Sequence, residues 1–213
     1  MLCVSLAEPS VKAAVRALRG LPFAEVRLDA IRDLSEVGIP SIFAGPGRRI
    51  ATFRPGRVDA SARFRFLRLA VQAGAAYVDI EIEALGTEAR TLVREAKKRG
   101  CRVIISYHNA RRTPPRSALL SVRNRAFAAG ADVVKIACRS HGRNDNARLL
   151  GLLDDPRPTI AIGMGAKGVI TRIAAPRLGA PFTFAAPEGG RETAPGQLPA
   201  STLSEIWRRI EHA

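Results

Sequence analysis

Residues 132–138 read Asp132-Val133-Val134-Lys135-Ile136-Ala137-Cys138. This run is apolar and rich in β-branched side chains, which is typical of a short strand that is buried on both faces. A lysine stands in its middle, and only five of the 34 basic residues of the chain are lysines. An unprotonated lysine can attack a carbonyl group, whereas arginine stays protonated. Lys135 is therefore the first candidate for chemistry, and the alternative is a structural lysine that reaches out of a strand end.

Short apolar runs of this kind recur along the whole chain. They cover residues 2–7, 23–29, 48–54, 75–83, 102–109, 132–138, 158–164 and 181–186. Helical periodicity follows most of them, most clearly over 61–72, 87–98, 117–129 and 202–210, and Ser61 and Thr87 are predicted N-caps. Eight strand–helix units predict a compact single-domain (β/α)₈ TIM barrel over residues 1–213. A doubly wound open sheet is the alternative, but it more often carries a glycine-rich loop after its first strand, where this chain has Ala7-Glu8-Pro9-Ser10.

Polar and apolar residues alternate in the predicted strands, so each strand has one polar and one apolar face. On the polar faces, which are predicted to point into the barrel, lie Glu25, Arg27, Arg54, Asp79, Glu81, His108 and Lys135. Most of these residues fall in the C-terminal half of their strands, where barrel active sites are built. Burying so many charges is costly unless a polar network or a ligand compensates. We therefore predict a functional cluster in which Lys135 and His108, on neighbouring strands, are the reactive pair.

Composition limits the possible partners of the chain. The formal net charge is +15, but the arginines are dispersed and aromatic residues make up only 5% of the chain. This pattern favours an anionic small-molecule substrate over nucleic acid. The three cysteines show neither disulfide nor metal-ligand spacing, and no apolar run approaches the length that spans a membrane. We expect a cytoplasmic protein with reduced thiols and no membrane partner.

The polar residues belong to a series of motifs that are spread over nearly the whole chain. These are Glu25-Val26-Arg27-Leu28-Asp29, Thr52-Phe53-Arg54, Tyr77-Val78-Asp79-Ile80-Glu81, Ser106-Tyr107-His108-Asn109, Thr113-Pro114, 130–137, Met164-Gly165-Ala166-Lys167-Gly168, Thr171-Arg172, Phe182-Thr183-Phe184-Ala185 and Ala194-Pro195-Gly196-Gln197. In this order they resemble the type I 3-dehydroquinate dehydratases, the Schiff-base-forming enzymes of the shikimate pathway. The Ser-x-His and Val-Lys-Ile-Ala elements are the most specific part of the resemblance.

The resemblance implies a syn dehydration of 3-dehydroquinate to 3-dehydroshikimate that needs no metal and no cofactor. It assigns the Schiff base to Lys135 and general acid–base catalysis to His108. It also implies a homodimer. The substrate-binding residues implied by the match are Glu25, Arg27, Arg54, Arg172, Thr193 and Gln197.

Two positions depart from the family pattern. The family has a glutamate that supports the catalytic histidine at the position of Val58, so the neighbouring Asp59 becomes the candidate support of His108. The family usually has aspartate after the histidine, and this chain has Asn109, which can donate and accept hydrogen bonds but adds no charge.

Two other functions remain open at this point. Another Schiff-base barrel, a class I aldolase acting on phosphorylated sugars, predicts a phosphate site around the glycines at 163–168. A non-catalytic basic barrel that binds nucleic acid predicts salt-sensitive binding to polyanions and no cost to losing Lys135.

Overall fold

Eight parallel strands form the centre of the protein, in a computed structural model that describes residues 1–56, 58–190 and 192–212. The strands are β1 (Leu2–Leu6), β2 (Phe23–Arg27), β3 (Arg48–Thr52), β4 (Tyr77–Glu81), β5 (Arg102–Asn109), β6 (Val133–Arg139), β7 (Thr159–Met164) and β8 (Thr183–Ala185). All eight lie within the predicted apolar runs or extend them by one residue. Their hydrogen-bonded order is β7-β6-β5-β4-β3-β2-β1-β8.

Eight helices surround the strands. They are α1 (Val11–Ala17), α2 (Gly38–Phe43), α3 (Ala60–Gln72), α4 (Thr87–Lys98), α5 (Arg116–Ala128), α6 (Arg143–Leu150), α7 (Val169–Ala174) and α8 (Ala200–Glu211). The four helices predicted from periodicity are confirmed to within two residues. The two predicted N-caps are wrong: Asp59 caps α3 and Gly86 precedes α4, because Ser61 and Thr87 already lie inside the first turn. Within the described ranges, no helix is long and apolar enough to cross a membrane.

The sequential strand order confirms the barrel and excludes the doubly wound sheet, because β8 pairs with β1 after a full circuit. The described residues show no ladder between β7 and β8, so the barrel is nearly closed. Two hydrogen bonds of the described residues link the elements on either side of this seam. The amide of Gly165 donates to the carbonyl of Pro195 at 2.9 Å, and Nη1 of Arg172 donates to the carbonyl of Phe184 at 3.2 Å.

Two apolar cores lie on opposite sides of the strands. The outer core joins the apolar strand faces to the helices, as the alternation predicted, and contains buried residues such as Val26, Val78 and Ile136. Fully burying a side chain of this kind stabilises the fold by roughly 1.5–3 kcal/mol. The second core lies inside the barrel and includes Phe23 and Phe182. The predicted polar interior is therefore confined to the part of the barrel above these aromatic rings.

Candidate active site

A cleft of about 640 Å³, its open mouth included, lies among the C-terminal ends of the strands. Its polar lining consists of Glu25, Arg27, Arg54, His108, Lys135, Arg172, Thr193 and Gln197. These residues come from elements that lie far apart in the sequence, and they include every predicted site residue except Asp59. The structure therefore brings these residues together at the C-terminal end of the barrel, where the alternation predicted the strand residues and the resemblance implied the others.

Lys135 lies on the wall of this cavity and is only 5% exposed. Its Nζ is 3.4 Å from Oε1 of Glu25 and 3.5 Å from Oδ2 of Asp79. The same atom sits 3.9 Å from the ring centroid of Phe184, within range of a cation–π contact. The two carboxylates and the ring together offset the cost of burying the ammonium group. The alternative of a lysine reaching into solvent is therefore wrong.

Glu25 is held in its charged form by its neighbours. Burial acts to raise the pKa of Glu25, but the positive charges of Lys135 and Arg54 outweigh it and lower the pKa from 4.5 to about 2. Thr52 donates to Oε1 at 2.9 Å, and Ser5 donates to Oε2. Ser5 was not predicted as a site residue, although it faces inward on β1 in register with Glu25. Strand pairing between β1 and β2 is the signal that would have found it.

Arg54 and His108 form the second part of the site. Nη2 of Arg54 lies 3.1 Å from Nε2 of His108, and Nη1 lies 3.5 Å from Nδ1. Burial, followed by the charges of Arg54 and Lys135, lowers the pKa of His108 from 6.5 to about 3. The imidazole is therefore uncharged at neutral pH and can accept a proton.

Asp59 does not line the cavity. Its exposed carboxylate accepts a hydrogen bond of 2.7 Å from the amide of Ala62 and so caps α3. Among the described residues, no hydrogen bond or ion pair joins Asp59 to His108, so the predicted support of His108 by Asp59 stays a prediction. Among the described residues, the carboxylate within 4 Å of His108 is that of Glu81, whose Oε1 lies 3.9 Å from Nδ1. Glu81 was read as an inward-facing residue but was not among the predicted site residues.

Arg172 enters the cavity from α7 and is 1% exposed. Its Nη1 donates to Phe184, while Nε and Nη2 have no hydrogen-bond partner among the described residues. Burial lowers the pKa of Arg172 from 12.5 to about 10. A buried guanidinium group with two unpartnered donor nitrogens is suited to a planar anion such as a carboxylate.

The loop that follows β8 covers one side of the cavity. Oε1 of Gln197 accepts from the amides of Thr193 at 2.8 Å and Ala194 at 3.3 Å. The hydroxyl of Thr193 also lies 2.7 Å from that of Ser5, which in turn donates to Glu25. These hydrogen bonds fasten the loop to the first strand of the barrel, so that its polar groups face the cavity.

The glycines at 163, 165 and 168, in and after β7, have their amides engaged within the protein. The amide of Gly163 donates to the hydroxyl of Thr171 at 2.7 Å, that of Gly168 to the carbonyl of Gly165 at 2.8 Å, and that of Gly165 to Pro195. The segment is also folded tightly on itself, because a Cβ atom at Gly168 would meet the carbonyl oxygen of Gly163 at 2.2 Å. The glycine amides on which the aldolase alternative would rely for phosphate are therefore engaged within the protein.

Comparison with known proteins agrees with this geometry. A family model described as Type I 3-dehydroquinase matches residues 2–213. The 3-dehydroquinate dehydratase of Methanocaldococcus jannaschii is 30% identical over 222 residues, which cover 99% of each chain. That of Methanothermobacter thermautotrophicus is 33% identical over 209 residues, which cover 92% of this chain and 91% of the relative. The solved 3-dehydroquinate dehydratase of Aquifex aeolicus superposes with a TM-score of 0.84 at 26% identity and covers 99% of this chain and 98% of its own. The chain belongs to the type I 3-dehydroquinase family.

Proposed function

We propose that this chain dehydrates 3-dehydroquinate through an imine on Lys135, with His108 as the general acid–base. Membership of the family makes the chain a 3-dehydroquinate dehydratase, a hydro-lyase of the shikimate pathway, and the assignment of roles to residues is the proposal. The observation that carries it is the buried amine of Lys135, which lines the same cavity as an uncharged imidazole.

Substrate binding begins with the carboxylate of 3-dehydroquinate. Arg172 lines the cavity, and its donor nitrogens Nε and Nη2 have no partner among the described residues. Pairing them with the carboxylate removes the cost of leaving a buried guanidinium partly unsatisfied. Arg27 and Gln197 line the same cavity, and we assign them to the ring hydroxyls. The positive field of Arg27, Arg54 and Arg172 also attracts an anionic substrate.

The first chemical step joins Lys135 to the ring ketone. His108 takes a proton from the ammonium group, and the amine then adds to the carbonyl carbon. The hydroxyl of the resulting carbinolamine takes that proton back from the imidazolium and leaves as water, which gives an iminium ion. Glu25 and Asp79, at 3.4 and 3.5 Å from Nζ, carry negative charge that stabilises this cation.

Elimination follows on the imine. His108 removes a proton from the carbon next to the iminium carbon, and the electron pair moves into the iminium bond to give an enamine. The enamine then expels the β-hydroxyl group, which takes a proton from the imidazolium of His108 and leaves as water. A second water molecule hydrolyses the conjugated imine and frees Lys135 with the product. The water lost on forming the imine is regained at hydrolysis, so one water is lost overall.

Borohydride trapping tests the role of Lys135. The protein is incubated with 3-dehydroquinate, reduced with sodium borohydride and mapped by peptide mass, and we expect the adduct on Lys135 and on none of the other four lysines. Lys135→Arg keeps a positive charge beside Glu25 but cannot form an imine. We expect no adduct in this variant and a loss of kcat of about 10⁴-fold or more.

Lys167→Arg is the matched control, because Lys167 is exposed and lies outside the cavity. We expect it to trap substrate and turn over like the wild type. An adduct on a lysine other than Lys135, or near-normal turnover by Lys135→Arg, would rule out the proposed mechanism.

We also propose that the chain works as a cytoplasmic homodimer with no nucleic-acid partner. Its three buried free cysteines suit a reducing compartment. Ile170 on α7, Leu178 in the turn that follows it and Ile210 on α8 are large apolar residues at least half exposed, which suits a contact between subunits. Analytical ultracentrifugation should show a single species of twice the chain mass, and a monomer at micromolar concentration would contradict the dimer.

A further inference from the structure

A histidine that acts as a base must present one ring nitrogen with a free lone pair, while the other nitrogen carries the proton. Which nitrogen does so depends on the groups around the ring. In many enzymes an adjacent carboxylate holds the protonated nitrogen and thereby fixes both the tautomer and the ring orientation. The question for this chain is which group does so for His108.

Strand pairing brings Glu81 to the imidazole. Glu81 is the last residue of β4 and is in register with Ser106 on β5. His108 lies two residues beyond Ser106 and points to the same face of β5. This places Oε1 of Glu81 3.9 Å from Nδ1 of His108, a distance that is electrostatic contact rather than a hydrogen bond.

Arg54 connects the same two residues more tightly. Its Nη1 donates to Oε1 of Glu81 at 3.0 Å and lies 3.5 Å from Nδ1 of His108. Its Nη2 lies closer to the ring, 3.1 Å from Nε2. Because a guanidinium group has only donors, this shorter contact requires Nε2 to be the acceptor, and the proton of the neutral ring then belongs on Nδ1.

The carboxylate of Glu81 also contacts a second arginine, Arg63. Oε2 lies 3.8 Å from Nη1 of Arg63, a residue of α3 whose side chain is only 10% exposed. One oxygen thus faces Arg54 and His108, while the other faces Arg63. Burial raises the pKa of Glu81 despite the opposing charge of Arg54. The carboxylate is therefore positioned by two arginines rather than left free to rotate.

The other nearby carboxylates are occupied elsewhere. Oδ1 of Asp79 accepts from Ser106 at 2.5 Å, and Oδ2 faces Lys135 and Arg54. Asp59 caps α3. Glu25 is engaged by Ser5, Thr52 and Lys135.

We propose that Glu81 is the positioning residue of His108: it favours the proton on Nδ1 and, through Arg54, fixes the imidazole so that Nε2 is the base. The inference rests on the proposed function, because it concerns how the acid–base residue is oriented. When substrate arrives, Nη2 of Arg54 can turn from Nε2 towards Asp79, which lies 3.5 Å away.

The test combines kinetics with ¹⁵N NMR of histidine-labelled protein. The chain has three histidines, so the signals of His108 are assigned from the spectrum of His108→Gln. Glu81→Gln keeps the size of the side chain and removes its charge. We expect kcat to fall by about tenfold or more while KM stays within about threefold, because ring orientation matters most in the proton-transfer step. We also expect the Nδ1-protonated signature of wild-type His108 to be lost.

Two further variants make the result specific. Glu81→Asp keeps the charge and should recover part of the lost kcat, and circular dichroism shows whether each variant is folded. Glu83→Gln is the matched control, since Glu83 is an exposed carboxylate two residues along the chain and outside the cavity. We expect it to match the wild type in kcat and in the His108 signals.

Three outcomes would overturn the inference: a kcat of folded Glu81→Gln within about twofold of the wild type, an unchanged His108 tautomer in that variant, or a wild-type His108 protonated on Nε2. If Glu81→Gln does not fold, Glu81→Asp decides. A kcat below that of Glu83→Gln with an unchanged KM supports the positioning role, and a kcat and tautomer equal to those of Glu83→Gln contradict it. Borohydride trapping separates this inference from the proposed function: an adduct on Lys135 together with a normal Glu81→Gln defeats the inference alone.

Discussion

The inside of the barrel differs between its two ends. Towards the N-terminal ends of the strands, the rings of Phe23, Tyr77 and Phe182 pack with centroids 4.9 to 5.8 Å apart. Towards the C-terminal ends, buried charged groups surround Lys135. Phe184 joins the two layers, because its ring contacts Phe182 at 5.5 Å and also lies under the amine of Lys135.

The difference shows how one barrel separates stability from chemistry. The aromatic layer removes a large apolar area from water and stabilises the fold. The charged layer contributes little net stability, because the cost of desolvating its ions offsets most of their mutual attraction. The charged layer provides a set of fixed charges around the reacting groups. These charges need not reorganise when charge develops on the substrate during the reaction. Substitutions in the two layers should therefore have different consequences.

The largest effect on stability is expected in the aromatic layer. Phe182→Ala removes a ring that is completely buried, and we expect the free energy of unfolding in urea to fall by about 3–5 kcal/mol. The kcat of the remaining folded protein should change little. Phe66→Ala is the control, because Phe66 is half-buried on α3 and, among the described rings, stacks only on Phe53. We expect this substitution to lower the free energy of unfolding by a smaller amount. If Phe182→Ala left stability intact and abolished turnover, the two layers would not be separate in function.

An intermediate effect is expected at the edge of the charged layer. Arg172→Gln removes the guanidinium group whose nitrogens Nε and Nη2 have no partner among the described residues, and we expect KM to rise by about 100-fold with a smaller change in kcat. Stability in urea should stay the same or increase, because a partly unsatisfied buried cation is lost. Arg177→Gln is the matched control, since its partner Glu211 lies on the surface. An unchanged KM for Arg172→Gln would contradict the role of Arg172 in binding the carboxylate.

The smallest effect is expected from pH. The base form of His108 exists above its pKa, which burial and Arg54 lower from 6.5 to about 3. The pKa of Glu25 is lowered to about 2, so both groups keep their active form well below neutral pH. We expect kcat/KM to vary by less than about twofold between about pH 5 and 8. A decrease in kcat/KM centred near pH 6.5 would show that His108 titrates like an exposed histidine. The charged layer would then not lower the pKa of His108.

The strands and most of the site could be predicted because their signals are local. Alternation with a period of two identifies the inward-facing residues of a strand without knowledge of its neighbours. This is why Glu25, Arg54, His108 and Lys135 could be assigned to one interior. Helix N-caps were harder, since Asp59, Ser61 and the residues around them compete for the same position within one turn.

Contacts between strands could not be predicted in the same way. The position of Ser5 beside Glu25 depends on the register of β1 against β2, and that of Glu81 beside His108 depends on the register of β4 against β5. The sequence pointed to Asp59 because it is adjacent to Val58 along the chain, whereas the structure places Glu81 near the ring across two strands.

The sequence by itself determined that the chain is a barrel and that an amine and an imidazole share its interior, because periodicity and motif order are properties of the chain alone. The tertiary structure decided which carboxylate faces which base and which donors of Arg172 are left for a ligand. It also decided that the amides of Gly163 and Gly168 donate within their own segment, while that of Gly165 donates to the loop after β8. These features depend on how neighbouring elements are aligned around the barrel, and the register between strands is set by the packing of the whole molecule.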